Sequence, residues 1–475
     1  MYRPDPDSLD YPGLRPAPQN LAVVGAGISG LSAAWLLSQG HNVTLFEAEP
    51  RLGGHSFTTD APAGQGSVPV DMGFIVYNTP CYPNLTALFD HLGVETEQSD
   101  MSFGVSVDNG AFEYASSNLQ ALLAQPYNVL RPRFVSMVAD ILRFYREAPA
   151  SLATLEDPYM GLGDYLERFG YGEAFIRDHM LPQAAAIWST SAGEVRQYPI
   201  KAFIAFCENH GLMKLTGRPK WRTVTGGSRS YVRKIKEAML ATGRARIEEA
   251  APIVRIARTS DGVVLTDVRG QTHRFDQVVV ATHSDQALPM IENPTEAETR
   301  LLGAIGYSQN KVVLHTDTRL MPVRKAAWSS WNYVGSVKAD PSAPLCVTYW
   351  MNKLQNLTTP EPLLVTLNPD RPIDPAKVIR TQTFAHPTFT RDAIKAQEQL
   401  WSLQGVGGVW YCGAWFGAGF HEDGLQAGLA VAEDLGGLRR PWSVANDSGR
   451  IVRGIAPSQR LPLQFQASDA RKAMG

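Results

Sequence analysis

The pattern of apolar and polar positions between 21 and 47 predicts the elements around which the chain is organised. Positions 21–24 form an uninterrupted apolar run, which is typical of a buried parallel strand. Apolar residues between 28 and 36 then recur at helical spacing, and Gly40 predicts the end of that helix. A second apolar run at 42–46 completes a strand–helix–strand unit. The pattern therefore predicts an α/β domain that begins with parallel strands.

Three glycines between the first strand and the helix are spaced as G-x-G-x-x-G. Gly25 permits the tight turn, Gly27 lets a pyrophosphate approach the backbone, and Gly30 lets the helix pack closely on the strand. The helix N-terminus faces the phosphate charge. Glu47 lies 47 − 25 = 22 positions after Gly25, where an acidic side chain accepts a hydrogen bond from a ribose hydroxyl. We therefore predict a dinucleotide site, whose further contacts are Ile28, Ser29 and Ala48.

The residues directly after the acid, PRLGGH at 50–55, indicate which dinucleotide is bound. This stretch resembles the R-x-G-G-[RK]-x-x-[ST] motif of FAD enzymes of the amine oxidase and desaturase superfamily. Arg51, Gly53, Gly54 and Thr58 match the motif, and His55 stands where the family has a second basic residue. The resemblance implies that Arg51, Gly53 and Gly54 hold the pyrophosphate. His55 is a further predicted phosphate contact, although a neutral imidazole brings less charge.

A second glycine-bearing motif, YCGAWFGAGFHEDGLQAG, occupies positions 411–428. It predicts a strand, a loop and a helix that starts near Gly424, and the unpaired N–H groups of a helix start carry partial positive charge. Aimed at a reduced flavin, that charge would stabilise the anionic cofactor. The motif resembles the closing element of the same superfamily. That resemblance implies flavin contacts from Gly413, Asp423, Gly424, Leu425 and Gln426 and, with the first motif, FAD rather than NAD as resident cofactor.

Other stretches add to the resemblance. Gly73 and Phe74, in DMGFIVYN, match the strand and turn that pass the flavin in the superfamily. Ala281 and Thr282 would lie near the pyrophosphate, and Val254 would line the adenine site by backbone contacts, although core packing explains Val254 equally well. The same stretches resemble one bacterial branch of amine-oxidase-like flavoproteins. Its members are often associated with cyclopropane-fatty-acid-synthase-like methyltransferases and lipid modification.

The resemblance predicts a Rossmann-like FAD-binding domain of the amine oxidase type, an α+β substrate domain and a helical insert. The expected boundaries are 1–18 for an extended or disordered N-terminus, 19–90, 221–299 and 400–438 for the FAD-binding domain, 91–116 and 300–399 for the substrate domain, 117–220 for the insert and 439–475 for a basic tail. The insert either presents its apolar stripe to membrane or acyl chains or buries it within a subdomain. The tail, with a net charge of 7 − 2 = +5, is either a solvated segment or a lipid contact.

Composition narrows the function further. A net charge of −2 gives no reason to expect nucleic-acid binding. The four cysteines are far apart, without a CxxC or HExxH motif, so we expect no metal site and a reducing compartment. The first residues lack the apolar core of a signal peptide, and no apolar run reaches the roughly 18 residues of a membrane span. We therefore expect a cytoplasmic protein, with peripheral membrane contact as an open alternative.

Hydride transfer to flavin is the reaction that the superfamily implies, and a few residues are candidates to assist it. Lys311 begins a substrate-domain strand about where amine-oxidising members place a lysine near flavin N5, although a strand-edge lysine is often merely solvated. His421 and Glu422 are candidate proton-transfer groups, with loop anchoring as the alternative. The predicted pocket walls are Tyr349, Trp350 and Trp415, all of which core packing would also explain.

These features favour an FAD oxidoreductase that takes a hydride from a C–H bond of an apolar substrate. The resemblance points to an unsaturated or methyl-branched fatty acyl lipid, by desaturation or isomerisation. One alternative is an amine oxidase that uses O2, but the predicted pocket is rich in Trp, Phe and Met rather than acids, and Gly424 falls where amine-oxidising members carry an aromatic residue. A second alternative is a non-catalytic FAD-bound protein that presents lipid to a methyltransferase partner.

Overall fold

A computed structural model describes residues 17–116, 119–188, 191–214, 216–336 and 345–454. Positions 1–16 of the predicted N-terminal segment and 455–475 of the predicted tail lie outside the described residues. Positions 117, 118, 189, 190 and 215 of the predicted insert do too.

The described residues form twenty strands and fifteen α-helices. The strands are β1 (Asn20–Val24), β2 (Asn42–Phe46), β3 (Thr58–Ala63), β4 (Gly66–Asp71), β5 (Val76–Asn78), β6 (Thr96–Ser99), β7 (Phe103–Val107), β8 (Phe112–Ala115), β9 (Trp221–Val224), β10 (Ala245–Glu248), β11 (Ile253–Thr259), β12 (Gly262–Asp267), β13 (Thr272–Phe275), β14 (Gln277–Val280), β15 (Gly306–His315), β16 (Trp331–Gly335), β17 (Val347–Trp350), β18 (Leu364–Leu367), β19 (Val378–Thr388) and β20 (Val409–Tyr411). The helices are α1 (Ile28–Leu37), α2 (Pro83–Leu92), α3 (Leu119–Leu122), α4 (Pro132–Ser151), α5 (Leu162–Arg168), α6 (Glu173–Phe175), α7 (Leu181–Trp188), α8 (Ala192–Gln197), α9 (Ile200–Asn209), α10 (Arg229–Ala241), α11 (Ser284–Met290), α12 (Glu296–Gly303), α13 (Met351–Leu354), α14 (Arg391–Gln397) and α15 (His421–Gly436).

A five-stranded parallel sheet in the order β10-β2-β1-β14-β20 carries the two glycine-bearing motifs. Its central strand β1 is buried on both faces from Leu21 to Val24, as the apolar run predicts. All ten residues of α1 are buried, because this helix packs between the sheet and α15. The mixed α/β fold predicted from the sequence is confirmed.

A seven-stranded mixed sheet in the order β19-β15-β18-β17-β16-β7-β8 faces the parallel sheet across a large cavity. Only the β7–β16 pair in it is parallel. Its strands come from 103–115 and 306–388, within the segments predicted for the substrate domain. Both sheets and the helical region from α3 to α9 supply walls of the cavity.

The helical region buries its own aromatic stripe, the simpler of the two alternatives for this stretch. Phe144, Tyr165, Phe175 and Phe203 are each at most 2% exposed and belong to one core. No helix in the described part of the chain has both the length and the hydropathy needed to cross a membrane.

The described start of the predicted basic tail is packed rather than loose. Arg440 is 6% exposed and its Nε lies 2.7 Å from Glu433 on α15. Arg450 pairs with Asp423 at the start of the same helix, at 3.2 Å. The expectation of a solvated or lipid-binding tail is therefore wrong for these two arginines, because both neutralise acidic side chains of α15.

Candidate functional site

A cavity of about 810 Å³ opens at the carboxyl ends of β1 and β2 and extends between the two large sheets to the helical region. Most of the predicted cofactor-binding residues line it: Gly25, Gly27, Ile28, Ser29, Glu47, Ala48, Arg51, Gly53, Gly54, His55, Gly73, Phe74, Ala281, Thr282 and Gly413. Residues up to 388 positions apart in the chain, 413 − 25, therefore meet around one space.

The G-x-G-x-x-G turn leaves room for a ligand at the start of α1. Gly25 has φ = +99°, which only glycine adopts readily, and a Cβ on Gly30 would lie 1.8 Å from the Gly25 carbonyl oxygen. A Cβ on Gly27 would meet no atom within 4 Å. Helix α1 also has no side-chain cap and no acidic residue in its first turn. Open space and uncapped N–H groups at one point fit a pyrophosphate.

Glu47 is held rigidly at the end of β2. One carboxylate oxygen accepts a hydrogen bond from Ala26 N at 2.7 Å, and the other accepts from Glu49 N at 2.9 Å. The side chain is 9% exposed and lines the cavity beside the glycine turn. This position suits a ribose hydroxyl. Pro252 and Ile253 extend the same wall, as an adenine would require.

Arg51 orders the loop that follows Glu47. Its guanidinium donates to the Gly54 carbonyl oxygen at 2.9 Å and lies 4.2 Å from the centre of the Phe57 ring. Gly53, at φ = +113°, lets this loop turn back towards the glycine turn. Arg51 thus brings positive charge to the cavity and fixes the backbone that lines it.

Four histidines far apart in sequence converge on the cavity wall. The ring of His55 lies 5.5 Å from that of His283 and 5.3 Å from that of His386. Burial, followed by neighbouring histidines, lowers the pKa of His55 and His283 to about 4 and that of His386 and His421 to about 3. All four are therefore uncharged at neutral pH, and they give the wall polar atoms without added charge. Within the described ranges, no group of three or more His, Cys, Asp or Glu side chains is arranged to hold a metal ion.

His421 is the first residue of α15 and borders the cavity. Its ring stacks on Phe74, with 3.7 Å between centroids and 13° between planes. Its Nε2 lies 3.0 Å from the hydroxyls of both Ser56 and Tyr231. The structure thus gives His421 a place at the wall, with Nε2 engaged in hydrogen bonds.

Four predicted flavin contacts, Asp423, Gly424, Leu425 and Gln426, do not line the cavity. The helix starts at His421 rather than near Gly424, so these residues already lie within its first turns. A Cβ on Gly424 would lie 2.8 Å from Ser29 Oγ, which shows that this glycine serves close packing of α15 on α1. Asp423 accepts from Phe420 N and pairs with Arg450, and Gln426 donates to Glu422.

Glu422, a predicted proton-transfer group, is also a structural residue. It is 0% exposed and lies outside the cavity lining. Its carboxylate accepts from Asn84 N and Leu85 N, each at 3.0 Å, and so caps the start of α2. The prediction of a catalytic role for Glu422 is wrong, because a carboxylate that is fully hydrogen-bonded and lies away from the cavity cannot reach a substrate.

Three further predicted residues lie outside the site. Lys311 is exposed on β15 and does not line the cavity. Gln309, two residues earlier on the same face of this strand, does line it. Val254 is 49% exposed and is not among the residues that line the cavity, whereas its neighbour Ile253 is; a backbone contact of Val254 with the adenine stays a prediction. Trp350 stacks edge-on with Trp328, 5.4 Å away, behind the pocket. Alternation along a strand cannot tell a cavity from bulk solvent, which explains these errors.

The far half of the cavity has apolar walls. Two of the predicted pocket residues, Tyr349 and Trp415, line the cavity, and the indole of Trp415 donates to the Thr282 carbonyl oxygen at 3.1 Å. Several lining residues were not singled out from the sequence: Met101, Phe103, Tyr145, His179, Ile187, Trp188, Phe206, His210, Leu212, Arg218, Trp331, Phe384, Phe389 and Phe420. Most of these residues follow helical or strand periodicities that core residues also show. No local sequence signal therefore distinguishes a residue that lines the cavity from a residue of the core.

The cavity thus fits FAD on three counts. Open space for a phosphate lies at the uncapped start of α1, and Glu47 lies where a ribose hydroxyl would bind. The start of a second helix, α15, reaches the cavity wall beside Phe74. The apolar half extends beyond these groups.

Comparisons with known proteins agree with this geometry. Residues 28–436 match the model of the family described as flavin containing amine oxidoreductase. The chain is 24% identical over 341 residues to a putative flavin-containing monoamine oxidase, AofH, of Mycobacterium tuberculosis, which covers 70% of each protein.

Solved structures share the fold. A putative protoporphyrinogen oxidase from Exiguobacterium sp. 255-15 superposes with a TM-score of 0.62 at 18% identity, over 88% of this chain and 98% of the other. A CLA-producing fatty acid isomerase from P. acnes superposes with a TM-score of 0.61 at 17% identity, over 87% and 97%. The chain belongs to the flavin-containing amine oxidoreductase family and is an FAD-dependent oxidoreductase.

Proposed function

We propose that the protein takes a hydride from a C–H bond of an unsaturated or methyl-branched fatty acyl chain, in a desaturation or an isomerisation. FAD, when bound, supplies the hydride acceptor. In desaturation a proton also leaves the neighbouring carbon, and an external electron acceptor then reoxidises the cofactor. In isomerisation both hydrogens return to the chain and no acceptor is consumed.

The observation that carries the proposal is the character of the far half of the cavity. Aromatic and aliphatic side chains from the helical region and the seven-stranded sheet form its walls, among them Trp188, Phe206, Trp331, Tyr349 and Phe389. Burying a methylene chain against such walls is favourable by about 0.8 kcal/mol per CH₂ group. Each carbon that an extended acyl chain places against these walls therefore adds to its binding free energy.

Charge in the cavity argues against an amine as substrate. The acidic residues in the lining are Glu47, Glu49 and Asp285, all on the FAD-binding side. The helical region instead contributes a cation, Arg218. A substrate ammonium would therefore lose its hydration without gaining a carboxylate partner, which is costly. The name of the mycobacterial relative keeps amine oxidation as the second candidate.

Product analysis tests the proposal. The FAD-loaded protein is incubated with oleic acid, linoleic acid, a methyl-branched fatty acid and, separately, putrescine and benzylamine. We expect new or shifted double bonds by mass spectrometry in at least one acyl substrate, and no hydrogen peroxide from the amines. Peroxide and aldehyde from an amine, with every acyl chain unchanged, would establish the amine oxidase instead.

We also propose that the protein works in the cytoplasm, at a membrane surface, because an acyl substrate resides there. Apolar side chains are exposed around the start of α4, with Leu130 82%, Val135 53% and Val129 49% exposed. Such a patch of exposed apolar side chains suits contact with a bilayer surface. The bacterial branch and its methyltransferase association remain an expectation from sequence resemblance.

A further inference from the structure

One part of the cavity lining is polar, where Arg218 lies close enough to His179 and Tyr145 for its charge to influence the pKa of each. It is formed by Tyr145 on α4, His179, Gln183 on α7 and Arg218, and we refer to these four residues as the polar corner. None of them belongs to the two glycine-bearing motifs. All four come from the helical region and the chain that leads out of it, so the polar corner lies on the substrate side.

His179 is the most telling member, because it is buried yet incompletely satisfied. The side chain is 6% exposed, and its Nδ1 lies 3.0 Å from the Tyr114 hydroxyl. Its Nε2 is buried and has no hydrogen-bond partner. Because the Tyr114 hydroxyl donates its proton to the Asp178 carbonyl oxygen, His179 Nδ1 donates to Tyr114, and Nε2 is left as an acceptor that a donor group on a ligand or a water would satisfy. The residue sits on a π-helical turn, Ile176–Met180, a geometry that often marks functional sites.

Arg218 gives the polar corner a positive charge. Its Nε donates to the Lys214 carbonyl oxygen at 2.7 Å, which fixes the base of the guanidinium. No carboxylate of the described residues forms an ion pair with it. The guanidinium lowers the pKa of His179, after the larger effect of burial, so its charge reaches into the cavity.

Tyr145 adds a hydroxyl with no hydrogen-bond partner among the described residues, and this side chain also lines the cavity. Arg218 and Tyr145 together offer a forked cation and a neutral donor to one ligand. A carboxylate matches both, since it accepts two hydrogen bonds from a guanidinium and has lone pairs to spare.

We propose that the polar corner binds the carboxylate of a free fatty acid, with Arg218 as its ion-pair partner and Tyr145 as a hydrogen-bond donor. This assignment rests on the proposed acyl substrate and makes it more specific: the substrate is the free acid, not an ester or thioester. The carboxylate anchors one end of the chain and the apolar walls direct the rest towards the FAD-binding side. Anchoring would fix which carbon reaches the flavin, and hence the position of the double bond.

Ligand affinity in the FAD-loaded protein tests the assignment, with the flavin absorbance spectrum as the reporter. The probes are oleic acid, methyl oleate and monododecyl phosphate. Arg218 is exposed, where ion pairs are weakened by solvent, so Arg218→Gln should weaken oleic acid binding by about 2- to 5-fold. Tyr145→Phe should weaken it by about 2- to 10-fold. Methyl oleate should bind equally to all forms.

Arg168→Gln is the matched control, because Arg168 is an exposed arginine of the same helical region that does not line the cavity. It should leave both affinities unchanged. The carboxylate assignment would be overturned if Arg218→Gln lost affinity for oleic acid and methyl oleate equally. It would also be overturned if the unaltered protein bound the acid and the ester equally well. Tighter binding of the alkyl phosphate would reassign the polar corner to a phosphate. If no acyl compound binds at all, the acyl function itself fails, which is a different outcome.

Discussion

Gly27 shows how a single residue defines the cofactor site. Its φ of −69° suits any amino acid, and a Cβ there would meet no protein atom within 4 Å. The protein thus has no packing reason to keep a glycine at this position. A pyrophosphate, however, would occupy the space. Gly30 is the opposite case, because a Cβ there would collide with the Gly25 carbonyl oxygen whether or not FAD is bound.

Gly27→Ala should therefore weaken FAD binding without unfolding the protein. Displacing the pyrophosphate by one methyl group would break at least two charge-assisted hydrogen bonds, which corresponds to roughly 100-fold or more in affinity. Titration of the FAD-free protein with FAD measures the affinity, and thermal unfolding of the FAD-free protein measures stability. Gly30→Ala should lower both the FAD affinity and the thermal stability. An unchanged FAD affinity in Gly27→Ala would show that the pyrophosphate lies elsewhere.

Glu422 illustrates a side chain whose role the sequence misassigns. A Glu beside a predicted flavin edge looks catalytic, but its partners, Asn84 and Leu85, come from a helix 337 or 338 positions away. Only the folded chain shows that this carboxylate caps α2. Burial raises the pKa of Glu422, against the effect of the hydrogen bonds that it accepts.

Glu422→Gln should therefore destabilise the protein and spare the chemistry. The amide would direct N–H groups at backbone donors, and leaving buried donors unpaired should cost about 2–4 kcal/mol of unfolding free energy. Chemical denaturation measures that loss. The rate of flavin reduction by a substrate, below the unfolding transition, should change less than about twofold. A stable variant with a large loss of rate would restore Glu422 to the reaction.

At the scale of elements, the sequence predicts periodic segments well and their partners poorly. β1, α1 and β2 follow the predicted order, because apolar runs and glycine punctuation are local signals. Helix α15 starts three residues before the predicted position, 424 − 421, because Gly424 lies inside the helix and packs on α1 instead of starting the helix. A stripe of small residues looks the same whether it approaches a cofactor or another helix. Gly424 and Gly428 pack on Ser29 of α1.

The apolar surface at the start of α4 makes a second element-level claim. If it docks on a bilayer, the double variant Val129→Ser and Leu130→Ser should reduce binding to vesicles of phosphatidylglycerol and phosphatidylcholine. Losing the burial of two aliphatic side chains corresponds to about 10- to 100-fold in partitioning. Val268→Ser, at a 60% exposed valine in the turn between β12 and β13, is the control and should bind like the unaltered protein. Equal binding by all forms would remove the membrane proposal.

At the scale of the whole molecule, seven histidines are held neutral in buried or half-buried positions. Burial is the main cause that lowers their pKa, to about 4 for four and about 3 for three. The first group is His55, His179, His283 and His315, and the second is His210, His386 and His421. Six of the seven line the cavity. Sequence reasoning found two of these six, because their convergence depends on long-range topology rather than local pattern.

The lowered pKa values of these histidines predict that the protein loses folding stability in acid. An unfolded histidine takes up its proton near pH 6.5, whereas the native imidazoles resist protonation until about pH 4. Their contribution to stability is therefore complete above pH 6.5 and is lost as the pH falls towards 4. Four carboxyl groups oppose this trend against seven imidazoles: burial raises the pKa of Asp71 to about 6, and it also raises the pKa of Asp285, Glu422 and Asp423. Denaturation of the FAD-free protein should show stability falling from pH 7 to pH 5, and a flat profile would contradict the buried neutral state.

The most direct test of the central claim, an FAD enzyme whose cavity oxidises an acyl chain, is anaerobic mixing of the FAD-loaded protein with one substrate at a time. The oxidised flavin absorbance is followed without any electron acceptor present. We predict that an unsaturated or methyl-branched fatty acid bleaches the flavin, or is returned with a moved double bond, while putrescine leaves the spectrum unchanged. Bleaching by putrescine, with every fatty acid inert in both readouts, would contradict the account.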